Sequence, residues 1–203
     1  VEGLIIDRLR QDEPLDELAD TMTEAFANYP VPVRAFAQSP GPRNHWIRRL
    51  MWHSAKMRQQ LNFPTITARL DGVIIGAGFL RIPGADMEEA YNAWWPEFIA
   101  EAGPQTDQFF TRFREACDSI PIPEPNLYIA MLGVRNAYQG KGIGKKIISE
   151  AMQIATDLPN CTGLGLDTQN TVNIAIYQSC GFSLAGQANV DDLPVSVMFR
   201  ELD

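Results

Sequence analysis

The sequence is short of cysteine, of histidine and of long apolar runs, and each shortage removes a class of protein. Cys117, Cys161 and Cys180 are its only cysteines. An odd, widely spaced set makes neither a disulfide framework nor a close metal-binding pair. Inert thiols in a reducing compartment are expected, since free cysteine is commonly buried. His45 and His53 complete the histidines; they lack a partner pattern for a metal and read as structural or exposed, so no metal is expected. No apolar stretch reaches the roughly 18 residues of a membrane span. The opening residues include Glu2, Asp7, Arg8 and Arg10 rather than a secretory core, and a cytoplasmic location is expected. Positive charge is not in excess either: 17 basic against 25 acidic side chains leave −8. That balance argues against a general nucleic-acid or anionic-membrane binder and accommodates a cationic or amine-bearing partner.

What is present is ordinary globular material. The 203 residues are 45% hydrophobic with 14 prolines, enough to bury a full core, and the length suits one domain over 1–203 with a helical elaboration at 84–125. No internal repeat or low-complexity tract interrupts it.

The order of elements follows from periodicity. Gly3 to Arg10 reads as a strand, and Pro14 opens a helix with an apolar side of Leu15, Leu18, Ala19, Met22 and Phe26. The run Asn28-Tyr29-Pro30-Val31-Pro32 cannot prolong that helix, and a loop is expected. After Ser39-Pro40-Gly41-Pro42, a helix is expected from Arg43 to Gln60. TITARL, Asp71-Gly72 and VIIGAGFL then read as a hairpin. Helices are expected over Asp86 to Ala100 and Asp107 to Ser119, parted by Gly103-Pro104. Their Trp94, Trp95, Phe98, Phe109, Phe110 and Phe113 either pack as core or roof a pocket. Beyond them the period predicts a strand at Leu127 to Val134, a helix at Gly142 to Thr156 and a strand at Leu164 to Asp167. A short helix at Thr171 to Ser179 and a strand pair at Phe182 to Ala185 and Val195 to Phe199 follow. The mixed order implies a twisted α/β sheet.

Chemistry concentrates in LYIAMLGVRNAYQGKGIGKK, from Leu127 to Lys146, where an apolar strand feeds a glycine turn that opens a helix. Glycines at such a helix entrance leave backbone N–H groups free to hold an anion, with Lys141 and Lys145 near for charge compensation. Gly140, Gly142 and Gly144 alternate, which is not the dinucleotide G-x-G-x-x-G. A nucleoside-triphosphate loop also fails, because Gln139 and Lys146 stand where glycine and a hydroxyl residue are needed.

The turn does resemble the acyl-coenzyme A loop of the GNAT-type N-acetyltransferase superfamily, Gln/Arg-x-x-Gly-x-Gly/Ala, through Gln139, Gly142 and Gly144. Downstream, Asn170, Tyr177, Gly181 and Phe182 match that family's second signature, N-x-x-A-x-x-x-Y followed by G-F; Asn173 departs from it, standing where alanine is usual. The resemblance covers Leu127 to Phe182 most specifically. It implies a mainly antiparallel twisted sheet flanked by helices, with a splayed central strand pair, and acetyl-CoA as the cofactor. It further implies that Leu132, Gly133 and Val134 form the edge that holds the pantetheine arm, with the Val134 N–H near the thioester carbonyl. Amides of Gln139, Gly140, Lys141, Gly142, Ile143, Gly144 and Lys145 would receive the pyrophosphate, Asn170 would contact the arm, and Tyr177 would protonate the departing sulfur. Asp167 and Thr168 are expected to shape the cleft. No base transfers by motif; Glu124 is the candidate before the fourth strand, with Glu88 and Glu89 behind it. The implied activity is acetyl transfer to the primary amine of a small molecule. A protein or peptide acceptor, or a non-catalytic acyl-CoA-binding regulator, are the alternatives.

Overall fold

The computed structural model describes residues 2–202; the first and last positions of the expected domain, 1 and 203, lie outside the described residues. The chain runs β1 (Leu4–Arg8), α1 (Asp16–Phe26), α2 (Pro30–Ala35), α3 (Arg43–Gln60), β2 (Thr65–Leu70), β3 (Val73–Arg81), α4 (Glu88–Asn92), α5 (Trp95–Ala102) and α6 (Pro104–Asp118). It continues with β4 (Leu127–Val134), α7 (Ile143–Asp157), β5 (Gly163–Thr168), α8 (Thr171–Gln178), β6 (Ser183–Val190) and β7 (Leu193–Glu201). The seven strands form one sheet in the order β1-β2-β3-β4-β5-β7-β6. Every neighbouring pair is antiparallel except β4 and β5, as the mixed, mainly antiparallel expectation has it. No helix among the described residues is long and apolar enough to cross a membrane.

The sheet separates two cores. On one face α1, α3, α5 and α6 bury Leu18, Met22, Ile47, Met51, Phe98 and Phe109. On the other, α7 buries Ile143, Ile147, Ile148, Ala151, Ile154 and Ala155, an apolar stripe at helical spacing. Close approach fixes both layers. A Cβ at Gly78 of β3 would come within 2.8 Å of Ile147 Cγ2, so α7 lies hard against the sheet. Across the sheet, a Cβ at Gly133 of β4 would meet Ala25 Cβ at 2.9 Å, Met22 Sδ at 3.0 Å and Phe26 Cε2 at 3.1 Å. Polar links complete the seat of α1. Thr21 Oγ1 donates to the Ile74 carbonyl at 2.9 Å, Arg135 pairs with Glu24 at 3.2 Å, and Glu24 also accepts the Asn136 N–H at 3.0 Å.

The main differences from the sequence expectation lie at prolines in three helical stretches, while β6 and β7 run past the expected Phe182 to Ala185 and Val195 to Phe199. The loop expected after Asn28 contains α2, because Pro30 and Pro32 fall in its first turn, where backbone N–H groups have no helical acceptor to lose. The helix expected over Asp86 to Ala100 is broken into α4 and α5 at Trp94: Pro96 cannot donate into a continuous helix but fits the first turn of a new one. For the same reason α6 starts at Pro104, three residues before the expected Asp107.

The contact beneath Gly133 gives a stability prediction. Gly133→Val pushes β4 off α1, and an overpacking cost of about 1–3 kcal/mol is expected, read as a lower denaturation midpoint at unchanged urea m-value. A midpoint equal to that of the parent protein would contradict the tight seat of α1.

Candidate active site

The cleft begins where two parallel strands part. β4 and β5 pair only at Leu127–Leu164, Tyr128–Gly165 and Ile129–Leu166. At the next residue β4 bulges: Phe79 pairs with Met131 and Leu80 with Ile129, leaving Ala130 unmatched on β3. Beyond it the β4 edge toward β5 is open to Val134. The Arg135 N–H bonds to the Ile75 carbonyl on β3 at 2.9 Å; alternation along the strand therefore turns the backbone groups of Val134 and Leu132 into the open cleft. Gln139 reaches back from the turn, its Nε2 donating to the Val134 carbonyl at 3.0 Å.

The turn that follows ends in an uncapped helix. Gly140 and Gly142 sit at φ +73° and +77°, left-handed conformations suited to glycine, and each faces open space where a side chain would be. Gly142 is the N-cap of α7, which has no side-chain cap and no acidic residue in its first turn. The Lys146 N–H turns back to the Gly142 carbonyl at 3.2 Å, so the amides of Ile143, Gly144 and Lys145 have no helical acceptor. Lys141 lies 5.1 Å over the Tyr138 ring. The cradle is positive and made largely of backbone.

At the apex of the cleft lies a cavity of about 120 Å³, whose wall includes Tyr29, Leu132, Asp167, Asn173 and Tyr177. Leu132 lines it and Val134 does not. Tyr177 is buried on α8, and that burial, then the nearby Tyr29 and Asp167, push its phenol up, so it holds its proton. Asn170 caps α8, its Oδ1 accepting the Val172 N–H at 3.1 Å, and its amide nitrogen is left for other partners. Asn173 donates to Thr168 Oγ1 at 3.4 Å. Tyr29 was not singled out by the sequence; its hydroxyl lies 3.1 Å from Thr168 Oγ1 and accepts the Gln169 N–H at 3.2 Å. Its signal was a polar-tipped aromatic wedged against two prolines.

The aromatics of the helical elaboration divide between the two expected roles. Trp95, Phe98 and Phe109 are buried in the core, while Phe110 and Phe113 of α6 also wall the cavity. Both histidines pack against aromatics. His53 stacks on Trp94 with centroids 4.7 Å apart, and burial, then Arg49, lower its pKa; His45 meets Trp46 edge-on.

A second, larger cavity of about 490 Å³ shares Phe113, Ala130 and Asp167 with the first. Glu124 lies in its wall, exposed, with Oε2 accepting the Asn126 N–H at 3.0 Å. Glu88 and Glu89 are exposed on α4 and line neither cavity. Asp167 stands at the junction. Burial raises its carboxyl pKa even though Gln169 Nε2 donates to it at 2.7 Å and the Tyr128 hydroxyl at 2.8 Å. Cys117, in the outer wall, has its thiol pushed up by burial and neighbouring carboxylates, the opposite of an activated nucleophile.

This geometry has known counterparts. The Acetyltransferase (GNAT) family model matches residues 33–182. N-alpha-acetyltransferase 30 of Saccharomyces cerevisiae (strain ATCC 204508 / S288c) is 25% identical over 120 residues, spanning 52% of this chain and 68% of the yeast protein. Among solved structures, arylalkylamine N-acetyltransferase 2 from Aedes aegypti superposes with a TM-score of 0.74 at 18% identity, covering all of both chains (100% each). The paia N-acetyltransferase from Thermoplasma acidophilum, solved in complex with coenzyme A, gives 0.58 at 18% identity over 98% of this chain and 99% of its own. With the family matched from α2 through α8, and a parted strand pair running into an uncapped helix, this chain belongs to the GNAT family and is an acetyl-CoA-dependent N-acetyltransferase.

Proposed function

We propose that the acceptor is the primary amine of a small molecule. The observation that carries this reading is the apical cavity: walled by Phe110 and Phe113 of α6 together with Tyr29 and Tyr177, it leaves about 120 Å³, room for a compact amine rather than a main chain. The yeast relative favours a second reading, a peptide amino terminus, for which the larger cavity of about 490 Å³ would be the approach.

Acetyl-CoA supplies a thioester, an acetyl carbonyl already activated toward an uncharged amine. The residues of this chain fit it. Amides of Ile143, Gly144 and Lys145 receive the diphosphate at the positive end of α7, while the turn from Gln139 through Gly142 lets it approach. The open edge of β4 at Leu132 and Val134 pairs with the amide groups of the arm, Gly133 keeping that edge seated on α1, and the free amide of Asn170 meets the arm from α8. Because Leu132 and not Val134 lines the cavity, we assign the thioester oxygen to the Leu132 N–H and the arm beyond it to Val134.

As the carbon–nitrogen bond forms and the carbon–sulfur bond breaks, two protons move. Tyr177, neutral because it is buried, gives one to the departing sulfur. Asp167 takes the other from the nitrogen; it lines both cavities and carries the raised pKa of a buried carboxyl. Glu124, in the outer wall, is the second candidate. Alignment of amine and thioester supplies the remaining acceleration.

Three measurements check this assignment. Tyr177→Phe should lower kcat by about 100-fold or more while coenzyme A affinity, measured calorimetrically, stays within a factor of about two; a regulator that only binds acyl-CoA shows no turnover to lose. In the wild-type enzyme, kcat/KM should rise with pH through an apparent pKa above the usual carboxylate range, because Asp167 acts in its ionised form. That limb should vanish in Asp167→Asn; if it vanishes in Glu124→Gln instead, Glu124 is the acceptor. Gly142→Val forces a branched side chain into left-handed backbone, at a cost of about 1–2 kcal/mol, and places it in the anion cradle. Coenzyme A affinity should fall at least about tenfold with circular dichroism unchanged.

A further inference from the structure

The larger cavity gathers arginines that have no ion pair among the described residues. This acidic chain neutralises its arginines readily: Arg34 with Asp192, Arg48 with Asp16 and Asp20, Arg49 with Glu101, Arg112 with Asp191 and Arg135 with Glu24 all pair within 4.0 Å. Arg58, Arg81 and Arg114 line the larger cavity, and among the described residues none of them forms an ion pair at that distance.

Arg58 is the telling member. It is 3% exposed, and its polar contacts are carbonyls: Nε to Leu80 at 3.2 Å and a terminal nitrogen to Ser54 at 3.0 Å, with its guanidinium carbon 5.1 Å over the Phe79 ring. A buried cation without a counter-ion is costly, and Arg58 also feels a second cation, Arg81. The cavity wall also carries Asp118, Glu124 and Asp167, and Arg81 acts on Asp167; the preference for an anion is local to Arg58 and Arg81, two like charges of which one is buried.

That preference is held at a fixed spacing from Asp167. Arg81 lies 4.9 Å over the ring of Tyr128, whose hydroxyl donates to Asp167 at 2.8 Å. Tyr128 is itself pinned, since even a Cβ on Gly165 would come within 2.8 Å of its ring. One tyrosine thus spans a cationic end and a carboxylate end of the same cavity.

We propose that the acceptor amine carries an anionic group, a carboxylate or phosphate, which Arg58 and Arg81 receive while its nitrogen is presented at the Asp167 end. The inference rests on the amine-acceptor reading above and narrows it: plain alkylamines and arylalkylamines would be poor substrates beside amines of the same skeleton bearing an acid.

The test uses matched acceptors. Coenzyme A release is followed with acetyl-CoA and pairs that differ only by the acid: alkylamines against ω-amino acids and aminoalkyl phosphates, arylalkylamines against their α-carboxylated amino acids. In at least one pair the acid-bearing member should show a kcat/KM higher by tenfold or more, expressed mainly in KM. Arg81→Ala should collapse that ratio toward one and Arg81→Lys restore part of it, a pattern that a merely structural role does not give; carboxylate and phosphate members decide which anion is read. Equal or better turnover of the acid-free member in every pair, or a ratio that survives Arg81→Ala, overturns the proposal while leaving acetyl transfer intact. If no amine is turned over, the acceptor reading fails separately. The same acids are then titrated calorimetrically into the coenzyme A-saturated protein: binding that Arg81→Ala weakens supports the anion site, and no binding overturns it.

Discussion

The site depends on a backbone pairing that stops. β4 and β5 share three residue pairs, then Ala130 bulges and the strands part. In a sheet interior, unpaired N–H and C=O groups carry a desolvation cost; here they face a cleft rather than a core. The same divergence leads β4 into a turn at whose end α7 begins without a cap. Two sets of unsatisfied amides, one along a strand and one at a helix end, are thereby laid out in line. A long, polar, amide-bearing and diphosphate-bearing molecule is complementary to both.

The two cores hold these sets at a fixed separation. α7 rests on β3 through the missing side chain of Gly78, and α1 rests on β4 through that of Gly133. Neither helix can shift without a steric penalty on the strand between them. The helical elaboration plays a different part: α5 and α6 spend most of their aromatics on the core, and Phe110 and Phe113 alone of the expected six reach the apical cavity. Charge is arranged with the same economy. A chain with a net charge of −8 pairs most of its surface arginines and leaves a few lining the larger cavity.

Most of the sheet and the glycine turn before α7 was legible in the sequence because each rests on local signals. β4, α3 and the β2–β3 hairpin follow from periodicity and an Asp-Gly turn, and the glycine turn announces itself before a helical stripe of isoleucines and alanines. What the sequence hid was set by tertiary contact or by proline's two faces. Pro30 and Pro32 read as breakers and Pro96 as the interior of one helix, yet each occupies a first turn where a helix begins. Tyr29 becomes a wall of the cavity only because α2 folds it onto Thr168. Asp167 gains its junction position from the parting of strands, which no local pattern encodes. Val134 and Leu132 share a facing, and only the position of the cavity distinguishes them.

Gln139 has a consequence of its own. By donating to the Val134 carbonyl at 3.0 Å, it occupies one acceptor on an otherwise vacant strand edge. The Val134 carbonyl keeps a second lone pair and its N–H stays free, so the donor of that rung is bare while its acceptor is shared. The same bond ties the glycine turn back to the strand it leaves, so the anion cradle and the strand edge hold their places relative to one another.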